Sequence, residues 1–184
     1  MKIFYIHGFG SCFKNSDKIE TLSRNHEVTG LTYDTTDSPY KNFKLLAEAS
    51  YESELIIGTS LGGWYAALVG TETGKPFVSI NPAVEPQRSL NKYIGTGIDY
   101  CGNHYTLNQE TVKEYDRIRT DGYGMVLIDE SDEVINPNDI DKIDHNFEVH
   151  KFSGGSHRFE HIEESLHLIE SFFNRSIVLG FNEA

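Results

Sequence analysis

Short apolar runs alternate along the chain with stretches in which apolar positions recur every three or four residues. Runs at residues 2–6 (KIFYI), 28–33 (VTGLTY), 54–58 (ELIIG), 77–80 (FVSI), 124–128 (GMVLI) and 147–152 (FEVHKF) predict strands. Most are continuously apolar, as strands covered on both faces of a parallel sheet must be. The last one alternates, which suits a more exposed place near a sheet edge. Between them, residues 14–24, 40–50, 61–73, 109–120, 138–145 and 159–174 carry helical periodicity. In the last of these Ile162, Leu166, Ile169 and Phe173 fall on one face. Strand and helix alternating in this way predict an α/β fold: a mainly parallel sheet of about six strands with helices on both faces and right-handed crossovers. No repeat, low-complexity tract or linker interrupts the pattern, so residues 1–184 read as one domain.

One connection is abnormally long. Residues 81–107 carry no convincing strand pattern, and structureless loops of that length inside a domain are commonly covers or binding segments. The segment is either a lid over an active-site mouth, with Leu90, Tyr93, Ile94 and Tyr100 as candidate acyl-pocket contacts, or an excursion packed elsewhere. The tail, 175–184, is apolar enough to pack on its own domain or on a second subunit, leaving a homodimer open.

Composition narrows the function classes. With 28 acidic and 16 basic residues the net charge is −12, a field that repels nucleic-acid backbones and anionic membrane surfaces. It also disfavours strongly anionic small substrates unless a local basic pocket overrides it. No apolar run is long enough to span a bilayer, and the N-terminus reads as a strand rather than a signal peptide. The two cysteines, Cys12 and Cys101, stand in no metal-ligand spacing and are expected to be reduced in a cytoplasmic protein.

The chemistry centres on Gly58-Thr59-Ser60-Leu61-Gly62, a G-x-S-x-G sequence between a predicted buried strand and a predicted helix. Glycines flanking the serine at a spacing of two make room for a strained turn that holds a nucleophile out of the backbone. A serine hydroxyl needs a base, and the base an orienting acid. Asp132 follows the fifth predicted strand, with Asp129 as second choice, and His157 follows the sixth on a glycine-rich loop. Ser, acid, His is the required order. His150 and His161 read as structural or surface residues. Backbone N–H groups of Phe9, after the first strand, and of Leu61, after the nucleophile, are the candidate oxyanion donors. The acidic stretch near Asp132 lacks the glycine of a tight calcium-binding turn, and a serine nucleophile with its base and acid needs no metal or organic cofactor.

These residues together resemble the YqiA/YcfP-like family of small α/β-hydrolase esterases. The likeness runs through YIHGFGS, IIGTSLGGWYAA, INPAVEP, IDESDEVIN and GGSHRFEHIEE. It implies an α/β-hydrolase fold without the early antiparallel hairpin of larger relatives, cleavage of small-molecule carboxylic esters, and Ser60, Asp132 and His157 at the triad positions. The ending SIVLGFNEA extends past the expected limit of the family. Two other readings remain open: a thioesterase acting on acyl-CoA, with Arg88 and Lys92 meeting phosphates, and a noncatalytic binding module on the same scaffold.

Overall fold

The computed structural model describes residues 1–14 and 16–181; Asn15, within the predicted helix 14–24, and residues 182–184 of the tail lie outside them. The chain begins with β1 (Lys2–Ile6), α1 (Asp17–Ser23), β2 (Glu27–Gly30) and α2 (Pro39–Ala49). There follow β3 (Leu55–Thr59), α3 (Leu61–Thr73), β4 (Phe77–Ile80) and a short α4 (Pro86–Ser89). A hairpin of β5 (Gly95–Ile98) and β6 (His104–Leu107) leads through α5 (Gln109–Lys113) to β7 (Gly124–Asp129), β8 (Glu148–Phe152) and the long α6 (Ile162–Val178).

Six strands form one sheet in the order β2-β1-β3-β4-β7-β8, and every neighbouring pair is parallel. The period of two along each strand divides the core. Phe4, Ile6, Ile56, Phe77, Val126 and Ile128 face one apolar layer with α2 and α3, where Leu46, Tyr65 and Val69 are buried. Ile3, Tyr5, Ile57, Val78, Met125 and Leu127 face the other, against Leu22 of α1 and Ile169, Phe172 and Phe173 of α6. Each such fully buried side chain contributes roughly 1.5–3 kcal/mol, which makes the strands the rigid frame of the molecule. Parallel strands bring all their carboxyl ends to one rim, and β3 ends there beside β1 and β4, with Ile6 opposite Gly58 and Thr59 opposite Ile80. The alternating segment forms edge strand β8, as its pattern requires.

Four expectations are corrected. Residues 81–107 are not strandless: β5 and β6 pair antiparallel. Glycines at positions 95 and 97 take the places where apolar residues would have shown the alternation. Residues 109–120 are helical only to Lys113, because beyond it the chain is drawn onto the core. Tyr115 is fully buried, Trp64 Nε1 donates to the Asp116 carbonyl, and Ile118 N donates to Val84 O. In 138–145 only a 3-10 turn forms, at Ile140–Lys142; Asn136 Oδ1 takes the Asn138 N–H and so competes with a helix start. Finally, Cys12 and Cys101 are joined in a disulfide, not reduced. The hairpin brings Cys101 against the loop after β1, a proximity that residues 89 apart in sequence do not reveal.

The last helix outruns its predicted end at residue 174. Past it, Phe181 stacks on Tyr123 with ring centroids 4.6 Å apart, while Val178 and Leu179 are exposed. Among the described residues no helix is long and apolar enough to cross a membrane.

Candidate active site

Ser60 ends the turn between β3 and α3 at φ 58°, ψ −120°, a conformation that costs a residue with a side chain on the order of 1–3 kcal/mol. The surrounding structure holds it there. Its N–H donates to Ile80 O at 2.9 Å, and its carbonyl accepts from Gly63, Trp64 and Ala83. The flanking glycines are steric necessities. A Cβ on Gly58 would lie 2.0 Å from Gly62 O, and one on Gly62 would lie 2.1 Å from Ile6 O in β1.

The structure brings together the three residues that the sequence separates. His157 Nε2 lies 3.0 Å from Ser60 Oγ, and His157 Nδ1 lies 2.8 Å from Asp132 Oδ2. Asp132 is almost fully buried, and its other oxygen accepts the N–H groups of Val134 and Ile135, both at 2.8 Å. A carboxylate can only accept, so Nδ1 of the imidazole carries the proton and donates it. Nε2 is then the acceptor, positioned to receive the Ser60 hydroxyl hydrogen. Glu133, which the sequence did not single out, accepts the His157 N–H at 3.0 Å and pins the backbone of the same loop.

Asp129, the second-choice acid, has another place. It is fully buried at the end of β7, where Oδ1 accepts from His161 Nδ1 at 2.7 Å and Oδ2 accepts the N–H groups of Ser156 and Glu160. Gly155 lies so near this carboxylate that a Cβ would sit 1.9 Å from Oδ2. Asn81, after β4, completes the arrangement: its Oδ1 accepts from Asp129 N, while Nδ2 donates to the carbonyls of Ser156 and His157. Buried Asn81 and Asp129, with the half-buried His161, thus form a scaffold under the His157 loop. The asparagine of INPAVEP, directly after an apolar strand, was the available signal for the first of them.

On the other side of Ser60, the loop after β1 carries Gly8 and Phe9. His7 is 2 % exposed, and its ring nitrogens have defined roles: Tyr33 N–H donates to Nε2, so Nδ1 donates to Gly8 O, 2.8 Å away. Burial pulls this imidazole down to about 4, against the hydrogen bond to Gly8 and the attraction of Asp99, which keeps the ring neutral. In a trans peptide the carbonyl and the following N–H point in opposite directions. By holding Gly8 O, His7 therefore turns the Phe9 N–H away from itself. The Phe9 and Leu61 N–H groups donate to no protein acceptor among the described residues.

Residues 81–107 hold this loop at three points. Phe9 stacks on Tyr93 and meets Tyr105 edge-on, Tyr100 N donates to Gly10 O at 2.8 Å, and Cys101 is bonded to Cys12. A cavity of about 450 Å³ opens beside Ser60 and His157, and Leu90, Tyr93 and Tyr100 line it. Ile94 is 38 % exposed and is not among its walls. No cluster of three or more metal-ligating side chains occurs among the described residues.

The chain is similar to known proteins over nearly its whole length. It is 27 % identical over 180 residues to a UPF0227 protein of Shewanella woodyi, covering 92 % of this chain and 98 % of that one. Among solved structures, Est1E from Butyrivibrio proteoclasticus superimposes with a TM-score of 0.70 at 17 % identity, covering 96 % of this chain and 88 % of its own. Monoacylglycerol lipase from Paleococcus ferrophilus does so with a TM-score of 0.67 at 15 % identity, covering 95 % of each. At such identities the likeness establishes the fold, the α/β-hydrolase fold, and no more. A sequence model of the Uncharacterised protein family (UPF0227) matches residues 2–174, and the ending from 175 onward lies beyond that match. The chain belongs to the UPF0227 family, the YqiA/YcfP-like group.

Proposed function

We propose that the protein is a serine hydrolase that cleaves carboxylic esters of small molecules through an acyl-enzyme. The observation that carries this reading is the His157 imidazole lying between Ser60 Oγ and the Asp132 carboxylate, each within hydrogen-bond reach. Ser60 Oγ attacks the ester carbonyl carbon while Nε2 takes its proton. Asp132 fixes the tautomer and stabilises the imidazolium. The oxyanion is held by the N–H groups of Phe9 and Leu61. Collapse of the tetrahedral intermediate breaks the bond to the alkoxy oxygen, which leaves with the proton from Nε2. Water then enters by the same route, reversing the roles, and releases the acid and free Ser60.

The fold shared with a lipase agrees with ester cleavage. Residues 81–107 act as a cover that also steadies the oxyanion loop. Thioester cleavage of acyl-CoA has less support, because the cations suggested for its phosphates are engaged: Arg88 pairs with Glu85 at 2.7 Å, and Lys92 lies over the Tyr93 ring.

The test is a panel of esters of increasing acyl length offered to the wild type and to Ser60→Ala. The expected result is turnover that falls by about 10³-fold or more in the variant for every ester accepted. Equal rates in the two proteins would remove the assignment.

A further inference from the structure

The cavity beside Ser60 is not uniformly apolar. Leu90 and Tyr93 form part of its wall, yet it also includes Lys18 of α1, Arg158 next to His157, and the hydroxyl-bearing Tyr5 and Ser16. Lys18 is only 8 % exposed, and its ammonium donates to a main-chain carbonyl, that of Arg158, rather than to a carboxylate. The Arg158 guanidinium makes no ion pair or hydrogen bond among the described residues. Two neighbouring cations, one of them buried and neither closed by a carboxylate contact, are an unusual expenditure in a chain of net charge −12. Burial lowers the Lys18 ammonium from its ordinary value and Arg158 pushes it the same way, against attraction from Asp17 and Asp129.

Resting on the esterase reading above, we infer that Lys18 and Arg158 form a subsite for a carboxylate carried by the ester substrate, so that the substrate class is monoanionic esters. A hydrogen-bonded anion would relieve the repulsion between the two cations and use the N–H groups that Lys18 leaves free. A single negative charge is the better match than a phosphate dianion. The acidic residues that share the cavity wall, Asp17 and Glu133, already offset part of the positive charge. Glu133 is itself committed to the His157 N–H, and Asp17 is exposed. The global negative field then works as a filter: it repels multiply charged esters, and one local pair of cations admits those with one charge.

The test uses esters matched so that only a carboxylate or its neutral carboxamide differs. One arm places the group on the acyl side, as ethyl hydrogen succinate against ethyl succinamate. The other places it on the alcohol side, as the acetate ester of 3-hydroxypropanoate against that of its amide. The expected result is a higher kcat/KM for the carboxylate in one arm. That ratio should fall about tenfold in Arg158→Gln, the loss expected for one charge-assisted hydrogen bond, and also fall at high salt. Lys18→Met should act in the same direction. Since Lys18 is buried, the exposed Arg158 variant decides the matter should Lys18→Met fail to fold. A ratio near one in both arms, or one unchanged in Arg158→Gln, would overturn the inference. Should the wild type cleave none of these esters, the acyl-length panel still decides the esterase reading, and calorimetric binding of the uncleaved ethyl hydrogen succinate, a monoanion, decides the subsite separately. Binding weakened in Arg158→Gln sustains it, and no binding ends it.

Discussion

At Ser60 the backbone is held where a glycine would be more at ease, and the cost is measurable apart from catalysis. Ser60→Gly and Ser60→Ala both lose the hydroxyl, but only glycine relaxes φ 58°. Urea unfolding should find Ser60→Gly more stable than Ser60→Ala by about 1 kcal/mol, and equal midpoints would mean no strain is stored there. His7 makes a second prediction at this scale. The unfolded chain protonates this imidazole near pH 6.5, whereas the folded one resists until about 4. Between these values the unfolded state binds more protons, so the His7 contribution is intact above pH 6.5 and is lost progressively as pH falls, by up to about 3 kcal/mol. A pH series of unfolding midpoints should therefore be flatter in His7→Asn than in the wild type. That Ser60, His157 and Asp132 would meet could be read in the sequence, because glycine spacing and chain order report on the turn and the rim directly. His7, Asn81 and Glu133 could not, since each acts through a partner that only the fold supplies.

At the level of elements, the placement of His157 depends on a loop rather than on a helix or strand. That loop is fastened from beneath by Asn81 and Asp129. Asp129→Ala removes a buried carboxylate and leaves three part-buried donors unpaired, and it should destabilise the fold by about 3 kcal/mol. Asn81→Ala is the milder change, and with a neutral ester, which makes no demand on Arg158, the proposed mechanism has it lower kcat more than it raises KM, because it loosens the loop that carries His157. Steady-state kinetics with a correctly folded Asn81→Ala separates the two parameters, and a change confined to KM would count against the scaffold. The same scale explains which elements could be read in advance. The sheet strands and α3 have apolar patterns that the sheet itself uses, so their limits were legible to within a residue or two, apart from β2. Residues 109–120 and 138–145 have helical periodicity, yet Tyr115 and Ile118 are claimed by the core and Asn136 by a turn, and tertiary contact prevails over local propensity. In the hairpin, glycine removed the very pattern that would have announced it.

Across the whole molecule, the Cys12–Cys101 bond ties the two segments that frame the mouth of the cavity, closing a span of 89 residues. Chain entropy puts the stabilisation from such a loop at up to about 4–5 kcal/mol. Removing it in the double variant Cys12→Ser, Cys101→Ser should lower the unfolding midpoint and also reduce kcat. Loss of the bond frees the loop that aims the Phe9 N–H. An unaltered kcat would separate the clamp from the chemistry. The account as a whole turns on Ser60 being a nucleophile activated by His157, and reaction with a fluorophosphonate followed by peptide mass spectrometry tests that most directly. The predicted result is one adduct, on Ser60, formed at least about 10²-fold more slowly in His157→Gln. An adduct elsewhere, no adduct in the folded wild type, or an undiminished rate in His157→Gln would contradict it.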